Sequence, residues 1–339
     1  MTTVLPPDHP TVLNPRIGVL LVNLGTPDGY DTPSMRRYLA EFLSDPRVIE
    51  APKWLWYPIL HGIILTTRPK KSGQAYRKIW MRETNESPLR FYTREQSNRL
   101  ATRFETENVA VEWAMRYGSP SIPDKLDALL AAGCHRILIL PLYPQYSAAT
   151  TASVQDTVFA HLATLRRQPA IRTLPSFHDE PSYIAALANS VRDSLKGAET
   201  PDHLLCSFHG MPRETLDKGD PYHCFCQKTG RLLRDALGWP EDRFTVVFQS
   251  RFGPKEWLQP YAEPTVRDLA KGGTKSIAMI SPGFVSDCVE TLEELAIGLK
   301  EVFEENGGEH FTYIPCLNAT DASIDMLESL TRRELSGWL

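Results

Sequence analysis

A histidine, an aspartate and a glutamate stand where two apolar runs of this 339-residue chain break off. The first run, Leu204-Leu205-Cys206-Ser207-Phe208, ends on His209-Gly210-Met211-Pro212. It reads as a short buried strand, with Gly210 free to turn without a Cβ and Pro212 suited to open a helix. In an open α/β sheet, chemistry collects just beyond the carboxyl ends of the strands, which places His209 in a crevice. The second stretch, from Ser281 to Thr291, also follows a strand and sets Asp287 and Glu290 at the head of a helix. A base and an acid at two strand ends form a candidate site for moving protons or a metal ion. Glu290 and Glu294, four apart, share a helix face away from the apolar stripe Val289, Leu292, Leu299 and Phe303. That row of carboxylates would lead protons or a cation into the cleft, whereas Glu293 and Glu301 read as solvated.

To hold these side chains the chain must supply strands, and it alternates strand and helix patterns throughout. Ile17–Leu24 is a continuous apolar run, as in a strand buried on both faces, and it leads into Gly25-Thr26-Pro27. Asp31 or Thr32 is suited to cap the next helix, with Pro33 at its start. Strands are expected near 109–115, 136–140, 170–174, 203–208, 244–249, 275–281 and 311–315. Helices are expected between them, including 150–166 and 288–304, with a last one over 320–336. Two similar halves imply an α/β protein of two Rossmann-like lobes whose parallel sheets flank a central cleft. The expected divisions are a loose arm at 1–15, an N-terminal lobe at 16–178 and a C-terminal lobe at 179–339. Strand ends would bring Asn23, Arg116, Tyr117, Tyr143, Gln145 and Tyr146 to the same cleft as His209, Gln249, Ser250, Asp287 and Glu290. Such a pocket is aromatic and sparing in charge.

Residues 53–66 are apolar on nearly every side, with Lys53 before them and Arg68, Lys70 and Lys71 after. At ~1.5 Å per residue a helix of this length spans ~20 Å, too short to cross a bilayer. It reads either as a buried core helix or as an exposed lip meeting a membrane surface or an apolar ligand.

A net charge of −4 with no dominant basic stripe argues against a nucleic-acid partner. No G-x-S-x-G is present, which disfavours a serine hydrolase. No leader sequence is evident in the first fifteen residues, and no window reaches the ~20 apolar residues of a membrane span. The six cysteines are scattered, and a chain of this length does not depend on disulfides, so a reducing cytoplasmic setting is expected. Cys224-Phe225-Cys226 beside His223 resembles a soft-metal clip, but its spacing and ligand count favour structural thiols.

With these motifs in order, the sequence resembles the ferrochelatase family over nearly its whole length. The resemblance is carried by Leu21–Pro27, Arg116-Tyr117, Tyr143–Ser147, Ser207–Pro212, Gly219–Tyr222, Gln249–Pro254 with Trp257-Leu258, and Ser286-Asp287 with Glu290–Leu292. It implies a chelatase-type fold and insertion of Fe²⁺ into protoporphyrin IX with loss of two protons. His209 and Glu290 become the catalytic and metal-contacting pair, and Leu24, Arg116, Tyr143 and Trp257 surround the macrocycle. Segment 53–66 becomes a lip, which makes the protein cytoplasmic and peripheral at the inner face of the membrane. No cofactor is required, and Fe²⁺ is a substrate. The animal-type [2Fe–2S] cluster is expected to be absent, because Ala148 replaces one of its cysteines and the sequence ends at Leu339 without the cysteine-rich extension. Clusters with other cysteine spacings stay open. Gly298, where many members carry a further carboxylate, and Cys288, often histidine, depart from the family pattern. The alternatives are a coproporphyrin ferrochelatase, a cobalt chelatase, or a two-lobed tetrapyrrole carrier without turnover.

Overall fold

The computed structural model describes Asp8 and residues 14–339, so most of the expected arm at 1–15 lies outside the described residues. Strands β1 (Arg16–Gly25), β2 (Val109–Tyr117), β3 (Cys134–Pro141) and β4 (Ala170–Thr173) form one parallel sheet in the order β2-β1-β3-β4. Strands β5 (His203–His209), β6 (Phe244–Gln249), β7 (Ser276–Ile280) and β8 (His310–Tyr313) repeat that topology as β6-β5-β7-β8. The expected α/β architecture with two Rossmann-like parallel sheets is therefore present.

The continuous apolar runs work as two-faced strands. On β1, Val19 and Leu21 enter one core while Leu20 and Val22 enter another, the period of two that a pleated strand imposes. The first of these cores is shared by the two halves, since it also takes Phe208, Phe248 and Ile280 from the second sheet. A third core, with Leu205, Val247, Met279 and Phe303, fills the far face of that sheet. The last helix, Asp321–Glu334, returns to the first half, where Arg103 pairs with Asp325 at 2.7 Å and Arg332 with Glu107 at 2.8 Å.

Helix starts follow their residue types. Asp31 caps Thr32–Ser44 by accepting from the Ser34 amide at 2.9 Å, with Pro33 in the first turn. At the end of β1, Gly25 has φ +117°, and a Cβ there would lie 1.9 Å from the Tyr117 carbonyl oxygen. Only glycine fits that turn.

Three expected α-helices instead contain wide turns that close at i+5. Residues Ala148–Ala152 are a π-helix before the α-helix Ser153–Leu162. The 53–66 segment is an α-helix over Lys53–Ile59, a π-helix over Leu60–Ile64, and then the start of the α-helix Leu65–Ile79. The expected helix 288–304 is a π-helix over Glu290–Leu299 followed by an α-helix over Lys300–Glu305. π-Turns are rare and concentrate at functional sites. Hydrophobic spacing near 3.6 does not tell them from α-turns over so few residues, which is why the sequence reading missed them.

Candidate active site

His209 is the last residue of β5, half-buried, and pairs in register with Gln249 at the end of β6. Its Nδ1 lies 2.6 Å from the Gly210 carbonyl oxygen. A carbonyl only accepts, so Nδ1 carries the proton and Nε2 keeps a free lone pair in the neutral ring. The strand end is packed tightly around this ring. A Cβ on Gly210 would meet the Gln249 oxygen at 2.7 Å and the Trp257 ring at 3.1 Å, so the glycine lets that indole lie against the His209 turn. The Tyr222 hydroxyl donates to the His209 carbonyl at 3.0 Å. One residue pair before it, Asp220 accepts from Ser147 Oγ at 3.1 Å and from the Ala148 amide at 2.7 Å. The Gly219–Tyr222 and Tyr143–Ser147 motifs thus meet across the two lobes.

Glu290 opens the long π-helix. Its backbone carbonyl accepts from Gln249 Nε2 at 2.8 Å, while Gln249 Oε1 accepts from Ser207 Oγ at 2.6 Å. Gln249 therefore ties His209's strand partner position to the residue that carries Glu290. The next residue, Ser250, sits in the left-handed region at φ +63° and donates its hydroxyl to Glu294. Burial, and then the neighbouring Glu290, push the Glu294 carboxyl up to about 7. The row Glu290–Glu294 expected from sequence is thus retained on one side of the π-helix, but it is half-buried and held by the last residue of β6 and by Ser250 just beyond it. Glu293, expected to be solvated, is instead ion-paired with Lys78 of the first lobe at 2.8 Å. Glu301 is exposed as expected.

The remaining residues do not all reach the cleft as free groups. Asp287, read as an acid of the site, is buried and engaged by Thr291, Tyr313 and Asn318 side chains. Tyr117 is fully buried and donates to Asp45 at 2.8 Å. Gln145 is buried and donates to Thr229 at 3.0 Å. Polar residues at strand ends were read as cleft lining because their types suit it, but here each satisfies buried partners, within its own lobe for Asp287 and Tyr117 and across the lobes for Gln145.

Arg116 lies over the Tyr117 ring at 4.4 Å, bonds Asp45 at 2.5 Å and donates to Ser153 Oγ at 2.7 Å. Burial works against the Asp45 charge, yet hydrogen bonds from Ser153, the Arg47 amide and Tyr117, together with Arg116, bring its carboxyl below the usual range. Asp45 carried no sequence signal, because an Asp-Pro pair after a helix reads as a turn. Tyr143 is 9% exposed, and among the described residues neither its hydroxyl nor the buried Trp257 indole nitrogen has a partner. Leu24, half-buried, packs between the first sheet's outer core and a cluster of Tyr38, Tyr76 and Leu60 beneath segment 53–66. On that segment Trp54 is 78%, Leu55 51% and Ile63 58% exposed. The segment is thus not a fully buried core helix: it presents an exposed apolar face, with Leu60 and Leu65 buried beneath it. No helix among the described residues is long and apolar enough to cross a membrane.

The cysteines are dispersed. Cys224 and Cys226, two apart on the helix Tyr222–Leu237, are exposed and buried respectively and do not face one site. Among the described residues no three His, Cys, Asp or Glu side chains converge as a metal-holding group.

Two parallel sheets of the same topology, joined by a shared core, make the two-lobed fold of a chelatase. The solved structures agree on the fold. SirB from Bacillus subtilis with Fe3+ superposes with a TM-score of 0.56 at 10% identity, over 95% of this chain and 97% of that one. The sirohydrochlorin chelatase SirB from Bacillus subtilis subspecies spizizenii in complex with cobalt gives 0.53 at 9% identity, over 95% and 96%. The Ferrochelatase family model matches residues 16–335. Ferrochelatases of Rhizobium etli and Rhizobium meliloti are each 58% identical, over 336 and 334 residues and 98% of both chains. This chain belongs to the ferrochelatase family, the lyases that insert iron into a porphyrin in haem biosynthesis.

Proposed function

We propose that this chain inserts Fe²⁺ into protoporphyrin IX through His209 and Glu290, with Leu24, Arg116, Tyr143 and Trp257 around the macrocycle. The observation that carries the assignment is the double use of Gln249, which is in register with His209 and bonded to the Glu290 carbonyl. Insertion balances as one ferrous ion in and two pyrrole protons out. His209 Nε2 accepts one proton as the ring becomes imidazolium. Glu290 neutralises the incoming cation as it sheds water, and Glu294, titrating near 7, takes protons onward from it. Trp257 and Tyr143 supply flat apolar faces whose polar edges have no partner among the described residues, which suits a macrocycle. Arg116, tied to Asp45 and stacked over the Tyr117 ring, bears on the macrocycle as a held group and not as a free charge.

The exposed lip supports a poorly soluble dicarboxylate porphyrin over coproporphyrin, and supports docking of the protein on the cytoplasmic face of a membrane. No resident cofactor takes part in this reading.

Absorption spectra of the protein with Fe²⁺ and either protoporphyrin or coproporphyrin test the substrate, and the same assay tests the residues. His209→Ala is expected to lower kcat about 10²- to 10⁴-fold with porphyrin binding retained. Glu290→Gln should lose turnover comparably with little change in KM, and the double variant should be little worse than either. A His209→Ala protein that keeps most of its turnover overturns the assignment, and porphyrin binding without any insertion by the unmodified protein would make it a carrier.

A further inference from the structure

The π-helix that starts at Glu290 has an anchor outside the cleft. Asp287, three residues earlier, is 3% exposed. Its Oδ1 accepts from the Thr291 hydroxyl at 3.0 Å and from the Tyr313 hydroxyl at 2.6 Å. Its Oδ2 accepts from Asn318 Nδ2 at 2.7 Å, and Asn318 Oδ1 in turn accepts from the Asp287 amide at 2.8 Å. One asparagine side chain therefore closes a two-bond ring with backbone and side chain of one aspartate. Asn318 is itself held in the left-handed region at φ +49°. Its amide donates to Val285 O at 2.8 Å, and its carbonyl accepts from Gln96 Nε2 at 2.7 Å. Gln96 is fully buried on the helix Pro88–Arg103 of the other lobe. On that helix Thr93 accepts from Asn23 Nδ2 at 3.0 Å, at the end of β1 beside Leu24.

Asn318 is thus the joint between the segment carrying Glu290 and a helix that also bonds Asn23 near the end of β1, beside Leu24. Wide i+5 turns have poor intrinsic geometry, and the first residue of such a helix depends on outside contacts for its position. A displacement of about 1 Å at a reacting group is enough to cost about 10²-fold in rate.

We propose that Asn318 is a positioning residue for iron insertion, acting through Asp287 to hold Glu290 at the head of the π-helix, where Gln249 ties it to the strand pair that ends in His209. The proposal rests on the assignment of Glu290 as a catalytic residue. Asn318→Gly keeps the left-handed backbone and the carbonyl that Gln96 holds, and removes only the side-chain ring. Tyr313→Phe removes a single donor from the other oxygen of Asp287 and leaves the packing in place. Both are measured for kcat with Fe²⁺ and porphyrin, for porphyrin affinity by fluorescence quenching, and for thermal midpoint. The expected result is a kcat loss of about 10- to 100-fold for Asn318→Gly and a smaller loss for Tyr313→Phe, with porphyrin affinity within about twofold. On a Glu290→Gln background neither change should lower kcat further, a coupling that a merely structural role would not produce. If Glu290→Gln abolishes turnover while both variants turn over normally, or if their losses multiply with that of Glu290→Gln, the positioning role is overturned. If Glu290→Gln itself turns over normally, it is the catalytic assignment that fails. Should Asn318→Gly not fold, the Tyr313→Phe coupling alone decides by the same two outcomes.

Discussion

Two acidic residues of one helix are treated very differently by their surroundings. Glu293 meets Lys78 near the surface, whereas Glu294 is tucked against Ser250 with its carboxyl raised from the usual 4.5 to about 7. The consequence for stability has a definite sign. A carboxyl whose folded value is raised makes its full contribution below pH 4.5, where folded and unfolded chains both hold the proton. That contribution is lost as pH rises from about 4.5 through about 7, because ionisation is then penalised only in the folded chain. The full swing is on the order of 3 kcal/mol. Glu294→Gln stays neutral throughout and should lack this decline. Urea midpoints of the two proteins at pH 5 and pH 8 should therefore diverge, with Glu294→Gln the more stable at pH 8. Parallel changes in both proteins would mean that Glu294 stays hydrated.

At the scale of elements, the segment 53–66 joins two roles that its composition alone does not separate. Leu60 is fully buried over Tyr38, Tyr76 and Trp80, while Ile63, one turn away, is 58% exposed. Trp56 is fastened by its indole nitrogen to the Leu43 carbonyl at 2.7 Å, and Trp54 stands out in solvent. With the π-turn over Leu60–Ile64 at its centre, one apolar run supplies both an anchor and an outward face. Replacing Trp54, Leu55 and Ile59 by serine should abolish co-sedimentation with anionic lipid vesicles and raise KM for porphyrin. The thermal midpoint should stay close to that of the parent, since exposed substitutions usually change stability by less than about 0.5 kcal/mol. Leu60→Ala should do the reverse, costing about 2 to 5 kcal/mol without a direct effect on vesicle binding. Unchanged sedimentation of the triple variant would show that the exposed face serves another contact.

Over the whole molecule, the lobes are joined by a common core and by contacts around the cleft. Lys218 meets Glu50 at 2.6 Å, Lys78 meets Glu293, and the Arg68 guanidinium lies 4.1 Å from the centre of the Phe252 ring. The ion pairs are largely exposed and contribute little, so the shared apolar core does most of the joining. The thiols are spread through this architecture: Cys134 lies in the first sheet, Cys206 in the second, and Cys224 and Cys226 on a covering helix. Burial raises the thiols of Cys206, Cys226, Cys288 and Cys316, which disfavours the thiolates that metal ligation needs. Protein purified without oxygen should accordingly carry no stoichiometric acid-labile sulfide. A coloured protein with iron and sulfide in stoichiometric amounts would require ligands from these same six thiols.

What the amino-acid sequence determined by itself was the alternation of strand and helix, the two-sheet fold, and the residue types at the ends of β1, β5 and β6. These are local properties: apolar runs of strand length, glycine and proline at turns, and a histidine directly after a buried strand. Gly25 and Gly210 could be read as turn residues because only a missing Cβ suits such places. The tertiary structure decided how those ends are used. It set Asp287 and Gln145 to buried partners, paired Arg116 with Asp45, and turned the helix carrying Glu290 into a π-helix pinned by Gln249, Ser250 and Asn318. Each of those contacts joins residues far apart in the chain, so a hydrogen bond's partner depends on how separate elements pack. Residue type tells which groups need a partner once buried; only the packed chain decides which partner each one finds.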